Sequence, residues 1–477
     1  MEPTIDPTVS KLKVYNTLSR SLEEFDPVRP GRINMFVCGP TVWDSSHVGH
    51  AKTYIAYDIM ARYLRHKGFS TFFILNITDI DDKIINRANN EGVDPLKLAD
   101  KYARDFYRDM KDLGVETVNL YAKASDHIPE IIGQVQGLID KGIAYRIEGD
   151  VYFDISKFPS YGKLSKLKLD ELTVHRVDPD PRKRNPGDFV IWKSQKPGEI
   201  SWDSPWGKGR PGWHIEDTAI TLTYFGPTYD LHGGGNELIF PHHEAEVAQA
   251  EALTGKSPLA KYWLHTGLLN ISGREMHKSL GNIIPIQEAL RSNGKNALRV
   301  LYASTHYRSP LEYTSQALEQ SASLARRFRR VYEQFAALGR EPHEVHKGQA
   351  MPEAVEQARD EFYKAMDDDF NTPAALTAYI KIVSLAEDEM KQPERPTALA
   401  TLGTLSELGS ILGVLDPDSQ SQERISQLLH LLQELRVELR ARSEYATADW
   451  IREKMAGMGF VVEDAAQGEK KTKPSRG

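Results

Sequence analysis

One cysteine, Cys38, is all that 477 residues contain. An intramolecular disulfide is therefore excluded, and a reducing compartment, the cytoplasm, is the expected setting. No stretch approaches the roughly 18 consecutive apolar residues of a membrane span, and the basic-then-apolar pattern of a secretory leader is missing. We expect a soluble protein without membrane contact. A basic excess is lacking too: 60 Lys and Arg stand against 67 Asp and Glu, a net charge of −7. Any nucleic-acid partner would have to meet local positive patches on an acidic body. The length and a 40% hydrophobic content fit about three domains, each with a core of its own.

What is present begins with an apolar stretch, residues 33–37, that reads as a buried parallel strand. It leads into Cys38-Gly39-Pro40-Thr41 and then His47-Val48-Gly49-His50. In the following segment, 52–66, Ile55, Ile59, Tyr63 and Leu64 recur at helical spacing. The two histidines thus fall at a strand-to-helix junction, where backbone N–H groups and the helix dipole favour an anion. Gly49 lets a flat ligand approach closely. In isolation the pair reads first as helix caps with no ligand; here it is not isolated. A second apolar strand, 71–75, ends in Asn76-Ile77-Thr78-Asp79, at the edge where open α/β sheets bind ligands. Asp79, Asp81 and Asp82 allow a magnesium site; acidic residues in the first turn of a helix over 80–90 are the preferred reading. Residues 219–225 read as a buried strand or helix end, and Asp230-Leu231-His232-Gly233-Gly234-Gly235 as a glycine-rich loop open to an adenosine.

With Met276-His277-Lys278-Ser279, the motif His47-Val48-Gly49-His50 resembles the HIGH and KMSKS signature pair of class I aminoacyl-tRNA synthetases. Four further stretches resemble the cysteinyl-tRNA synthetase family in particular: Cys38-Gly39-Pro40-Thr41-Val42, Asn76-Ile77-Thr78-Asp79-Ile80-Asp81-Asp82-Lys83, Gly212-Trp213-His214-Ile215-Glu216 and Phe240-Pro241-His242-His243-Glu244. The similarity runs from roughly residue 10 to residue 468. It implies an α/β fold: a Rossmann-like nucleotide-binding domain with a parallel sheet, split by an insertion and followed by an α-helical bundle. On that pattern, residues 1–125 and 210–285 form the two halves of the catalytic domain around an insertion at 126–209. A connecting segment at 286–315, a helical anticodon-binding-type domain at 316–467 and a disordered basic tail at 468–477 follow. The triplet Arg182-Lys183-Arg184 reads either as a solvated loop or as a contact to the tRNA acceptor end.

The matching metal ligands of the family are two cysteines, a histidine and a glutamate. Cys38, His242 and Glu246 match; Asp217 stands where the second cysteine would be. The spacing His-x-x-x-Glu puts His242 and Glu246 on one helix face. Thiolate, imidazole and carboxylate are all zinc ligands, and aspartate replaces a soft donor by a hard one at equal formal charge. The alternative has Cys38 as a small buried apolar residue and Asp217 in an ordinary hydrogen bond. One zinc ion per chain would separate cysteine from the nearly isosteric serine by thiol acidity and softness. Thr78, Trp213 and His232 match residues that close around the bound amino acid; without the resemblance Trp213 reads as well as a core aromatic.

ATP, with Mg2+, is assigned by the resemblance to Gly39, Thr41, His47, Gly49, His50, Gly233, Gly234, Lys278 and Ser279. His47, His50 and Lys278 are the catalytic candidates, N–H donors and a mobile charge for the phosphates. Glu275 takes the place of the first signature lysine, with Arg274 beside it. Met366-Asp367-Asp368-Asp369-Phe370-Asn371-Thr372-Pro373 resembles the acidic turn at which the family's anticodon domain begins a helix. Arg326, Arg327, Arg329 and Arg330 form either a solvated face or phosphate contacts with tRNA. The implied activity is ATP-dependent conversion of cysteine to cysteinyl-adenylate and transfer to the tRNA for cysteine, by a cytoplasmic monomer. A related cysteine ligase with an amino-sugar acceptor and a non-catalytic paralogue are the alternatives. Asp217 and Glu275 keep the paralogue open; His47, His50 and Lys278 oppose it.

Overall fold

The computed structural model describes residues 11–167, 181–271, 273–275, 282–336, 351–390, 395–415, 432, 435–436, 438–440, 442 and 444–457. A hairpin of β1 (Lys13–Asn16) and β2 (Ser21–Glu24) precedes β3 (Arg32–Val37), whose last five residues are all buried, as in a strand covered on both faces. The chain continues through α1 (Val48–His66), β4 (Ser70–Ile77), α2 (Asp82–Glu91), α3 (Pro95–Asp112) and β5 (Leu120–Lys123). Asp81 and Asp94 cap α2 and α3 through the backbone N–H groups of Lys83 and Lys97, and Gly92 ends α2 in the left-handed conformation. The aspartates after β4 thus have structural partners. Asp82 pairs with Lys193 and Arg210, and Asp79 accepts from the Ser125 N–H at 2.9 Å. Among the described residues no metal-type cluster forms there.

After β5 come α4 (Ile128–Asp140) and an antiparallel sheet of β6 (Ala144–Ile147), β7 (Asp150–Phe153), β8 (Phe189–Ser194) and β9 (Gly209–Pro211). Val151, Phe153, Ile191 and Trp192 pack there against Ile131, Val135 and Leu138 of α4. In the basic triplet, Arg182 pairs with Glu148 at 3.1 Å and Arg184 lies 4.1 Å over the Tyr145 ring.

The parallel sheet resumes with α5 (Trp213–Tyr224), β10 (Tyr229–Gly235), an irregular turn at Ile239–His243, α6 (Glu244–Thr254) and β11 (Ala260–Thr266). Residues 219–225 therefore lie in and just after a helix. The expected glycine-rich loop is instead a fully buried strand, β10. Its glycines answer to packing: a Cβ on Gly233 would stand 2.5 Å from the Tyr57 ring, whose hydroxyl donates to the Leu264 carbonyl at 2.7 Å. The sheet order is β11-β10-β3-β4-β5, with every pairing parallel. From β3 the chain winds outward to β4 and β5; from β10 it winds the other way to β11. The crevice at the carboxyl ends of β3 and β10 is a topological switch point, where such sheets bind ligands.

Beyond it, β12 (Leu269–Ile271), β13 (Arg274–Glu275) and later β14 (Leu311–Tyr313) form a small sheet around α7 (Ile286–Asn293) and α8 (Lys295–Ala303). Helices α9 (Ser315–Ala336), α10 (Glu353–Asp367), α11 (Thr372–Glu389) and α12 (Arg395–Leu412) follow. Asn371 caps α11 through the Ala374 N–H. In the same acidic turn, Asp367 accepts from the Tyr63 hydroxyl at 2.7 Å and pairs with Lys67 at 2.6 Å. Asp369 accepts from the Tyr15 N–H and the Tyr307 hydroxyl. Of the four arginines of α9, Arg327 and Arg330 pair with Glu387, and Arg329 with Glu333. Two units are distinguished, Met1–Leu415 and Asp416–Gly477, the second containing α13 (Tyr445–Gly457). Met276, His277, Lys278, Ser279 and the basic tail at 468–477 lie outside the described residues.

Candidate metal and nucleotide site

The end of β3 delivers Cys38 to the switch point, its N–H donating to the Gly233 carbonyl of β10 at 2.9 Å. Helix α5 brings Asp217, whose Oδ2 lies 3.3 Å from Cys38 Sγ. The turn before α6 brings His242, with Nε2 2.9 Å from Asp217 Oδ2 and 3.1 Å from Glu246 Oε1. Glu246 Oε1 is in turn 3.9 Å from Cys38 Sγ. All four side chains are buried. Glu244 fixes this corner by accepting from the N–H groups of Gly162, Leu164 and Ser165.

Two further histidines crowd the sulfur. His243 Nε2 is 3.1 Å from Cys38 Sγ, and its Nδ1 meets His265 Nε2 at 2.8 Å. His232 Nε2 is 3.6 Å away, with its ring stacked on Trp263. Cys38, His242, His243 and Glu246 each place a ligand atom within 4.8 Å of the others; Asp217 stands outside that group of four, beside it at Cys38 and His242. Trp213, 38% exposed at the start of α5, stacks on His242 at 4.2 Å and is no core aromatic. Thr78 is buried beside Thr41: the Val42 N–H donates to the Thr78 carbonyl, and the Thr78 N–H to that of Pro40.

His47 and His50 sit at the start of α1, rings stacked 3.7 Å apart. Each Nδ1 accepts from the other residue's backbone N–H, at 3.3 and 3.4 Å, a reciprocal capping box. Accepting at Nδ1 leaves the proton of each neutral ring on Nε2. Capping therefore prepares both rings as donors through Nε2. The Val48 N–H donates to the Ile284 carbonyl and the Ile286 N–H to that of Ser46. The stretch carrying Lys278 and Ser279 is thus bracketed by β13 and by a segment fastened beside His47.

A family model described as tRNA synthetases class I (C) catalytic domain matches residues 24–323, and a DALR domain model matches residues 361–416. Cysteine–tRNA ligases of Thermococcus gammatolerans and Aquifex aeolicus are 42% and 41% identical, each over 96% of this chain and 98% of the relative. The chain belongs to the cysteine–tRNA ligase family. It is thereby placed among the class I aminoacyl-tRNA ligases. Methionyl-tRNA synthetase of Mycobacterium tuberculosis with methionyl-adenylate shares the fold at a TM-score of 0.56 and 16% identity, over 80% of this chain and 90% of that one. The LeuRS-tRNA-LeuAMS complex of Agrobacterium radiobacter K84 does so at 0.58 and 12%, over 82% and 85%.

The ligase family implies a metal, and the donor set fits one. Zinc–ligand bonds of about 2.0–2.3 Å at tetrahedral angles separate donors by roughly 3.3–3.7 Å; the separations of 2.9 to 3.9 Å here bracket that range. Burial, then Asp217 and Glu246, push the Cys38 thiol well up. Burial and Asp217 likewise raise Glu246, whose Oε2 makes no hydrogen bond. Three acids facing one another out of water call for a cation. His242 Nδ1 lies 2.9 Å from Nδ1 of His214, leaving Nε2 toward the cluster, the outer contact that orients ligand histidines. Burial lowers His214, His232 and His243 well below the ordinary imidazole range, so all three are neutral near pH 7. Sequence reasoning singled out neither His243 nor His265. The doubled histidine after Pro241 was the available signal for the first; nothing local marks the second.

Proposed function

We infer that this chain activates cysteine with ATP to cysteinyl-adenylate and transfers it to the tRNA for cysteine, as a cytoplasmic monomer. One observation carries the reading. A buried thiol, imidazole and carboxylate cluster lies at the switch point, and the same strand, β3, leads from it into the helix whose first turn is made by His47 and His50. Zinc held by Cys38, Asp217, His242 and Glu246 supplies a soft Lewis acid that distinguishes a thiol from a hydroxyl. Trp213, Thr78 and His232 bound the amino-acid side. On the other side Gly39, Thr41 and Gly49 border the nucleotide, with Mg2+ accompanying its phosphates; Ser279 is assigned to it by the family resemblance alone, and Gly233 and Gly234 serve it only through the packing of β10.

The chain's own groups then orient and stabilise. Attack of the cysteine carboxylate on the α-phosphate develops charge on the phosphate oxygens; the Nε2–H donors of His47 and His50 are preorganised for it, and Lys278 adds its ammonium as a mobile charge. No covalent intermediate with a protein side chain is required. The test is amino-acid-dependent exchange of pyrophosphate into ATP, run with cysteine, serine and other amino acids beside charging of the tRNA. Exchange driven by cysteine alone is expected. Exchange driven by none of them, in a folded protein, would favour the non-catalytic alternative.

A further inference from the structure

Asn76 is the last residue but one of β4 and is 1% exposed. Its Oδ1 accepts from the Gly39 N–H at 2.5 Å. A backbone N–H can only donate, so the amide orientation is settled and Nδ2 faces Asp217, donating to Oδ1 of that carboxylate. The other oxygen, Oδ2, points to Cys38 Sγ and His242 Nε2 at 3.3 and 2.9 Å. The two oxygens of Asp217 are thus divided between an amide and the metal cluster.

A thiolate offers a metal one donor atom, whereas a carboxylate can offer two. Exchange of one for the other therefore changes coordination number as well as softness, unless one oxygen is kept occupied. We propose that Asn76 is the positioning residue that makes Asp217 a one-point ligand in the place of a thiolate, by holding Oδ1 away from the metal. This rests on the metal reading above and goes beyond it. Because Oδ1 of Asn76 grips the residue after Cys38, one amide also sets two of the four donors relative to each other. Outer contacts of this kind are worth about 10–100-fold in metal affinity.

Zinc affinity of the full-length chain is measured by chelator competition for the wild type, Asn76→Ala, Asp217→Cys and the double variant. Cobalt(II) substituted for zinc reports coordination through its visible bands. Asn76→Ala is expected to weaken zinc about 10–100-fold with Asp217 present, and hardly at all in the Asp217→Cys background. Its cobalt bands should lose intensity as the released carboxylate raises the coordination number. Asn76→Asp, which still accepts from Gly39 but cannot donate to Asp217, serves if the alanine variant fails to fold, and should show the same dependence on background. Equal losses in both backgrounds would mean that Asn76 acts only through Gly39, and no loss in either would remove its role; both overturn the inference while leaving the metal site intact. A wild-type chain that binds no zinc would overturn the metal reading and this inference together.

Discussion

At Gly39 there is room for a hydrogen atom and nothing more, since a Cβ there would stand 1.6 Å from the Asn76 carbonyl oxygen. The residue lets the segment after Cys38 lie directly against the end of β4, which is how Thr41 and Thr78 become neighbours. Gly39→Ala should lower the unfolding free energy by about 1–3 kcal/mol, the scale of overpacking, and reduce bound zinc; urea denaturation beside elemental analysis checks both, and a variant unchanged in both would show that the strands yield freely. Asp109 makes a second residue-scale case. Burial, offset partly by its bond to Gln287 at 2.8 Å, pushes its carboxyl up to about 6. A raised carboxyl favours the folded state when protonated, so its contribution is complete below about pH 4 and is lost as pH rises through about 6. Asp109→Asn keeps an acceptor for Gln287 without the charge. It should stabilise the chain at pH 7.5 by on the order of 1 kcal/mol after allowance for solvent screening, with the gain vanishing below about pH 4. Thermal melts of both proteins across that range decide it; a gain independent of pH would point to packing instead.

Helix α1 is the element on which the site depends, because its first turn carries the two histidines and its second carries Lys52. That ammonium is buried among the carbonyls of Gly267, Leu268, Tyr307 and Ser309, the last at 2.9 Å, and so ties α1 to the approaches of β12 and β14. Lys52→Met should cost about 1–3 kcal/mol, as for a buried polar group left unpaired. It should also slow pyrophosphate exchange at unchanged KM for cysteine; a change in KM alone would place Lys52 on the amino-acid side. Lys278→Ala should slow activation about 10²–10³-fold with little change in cysteine affinity, and near-normal exchange would remove its phosphate role. This scale also shows what the sequence could disclose. Strands β3 and β4 were legible because strands buried on both faces read as unbroken apolar runs, and α1 because Ile55, Ile59 and Leu64 keep helical spacing. β10 was not, since Gly233, Gly234 and Gly235 look like a loop until the Tyr57 and His243 rings that exclude side chains at the first two are known. The part played by Asn76 was equally hidden, as a neutral amide acquires one only when the fold sets Gly39 and Asp217 on its two ends.

Across the molecule, helical and catalytic parts share their interior. Val355, Phe362, Tyr379, Leu405 and Leu412 belong to one hydrophobic core with Tyr63, Leu64 and Leu301. Arg299 runs through it fully buried, pairing with Asp58 of α1 at 2.7 Å and donating to the Leu113 and Leu412 carbonyls. Burial works against the Asp58 charge, yet Arg299 and Arg62 hold its carboxyl below the usual value. A chain cut near position 315 would leave that ion unpartnered on one side and open the core, so it should not fold. Leu415, the limit of the first unit, is the place to cut. The donor cluster, the histidine pair and both flanks of the signature loop lie before it. A chain ending at Leu415 should therefore bind zinc and form cysteinyl-adenylate like the full protein. If the second unit contacts tRNA, charging should fall by about tenfold or more, equivalent to at least ~1.4 kcal/mol of lost binding. Exchange and charging, measured on one preparation checked for folding, separate the possibilities. Equal loss of both would show that residues 416–477 support the active site itself, and full charging would show that tRNA is read entirely by the first unit.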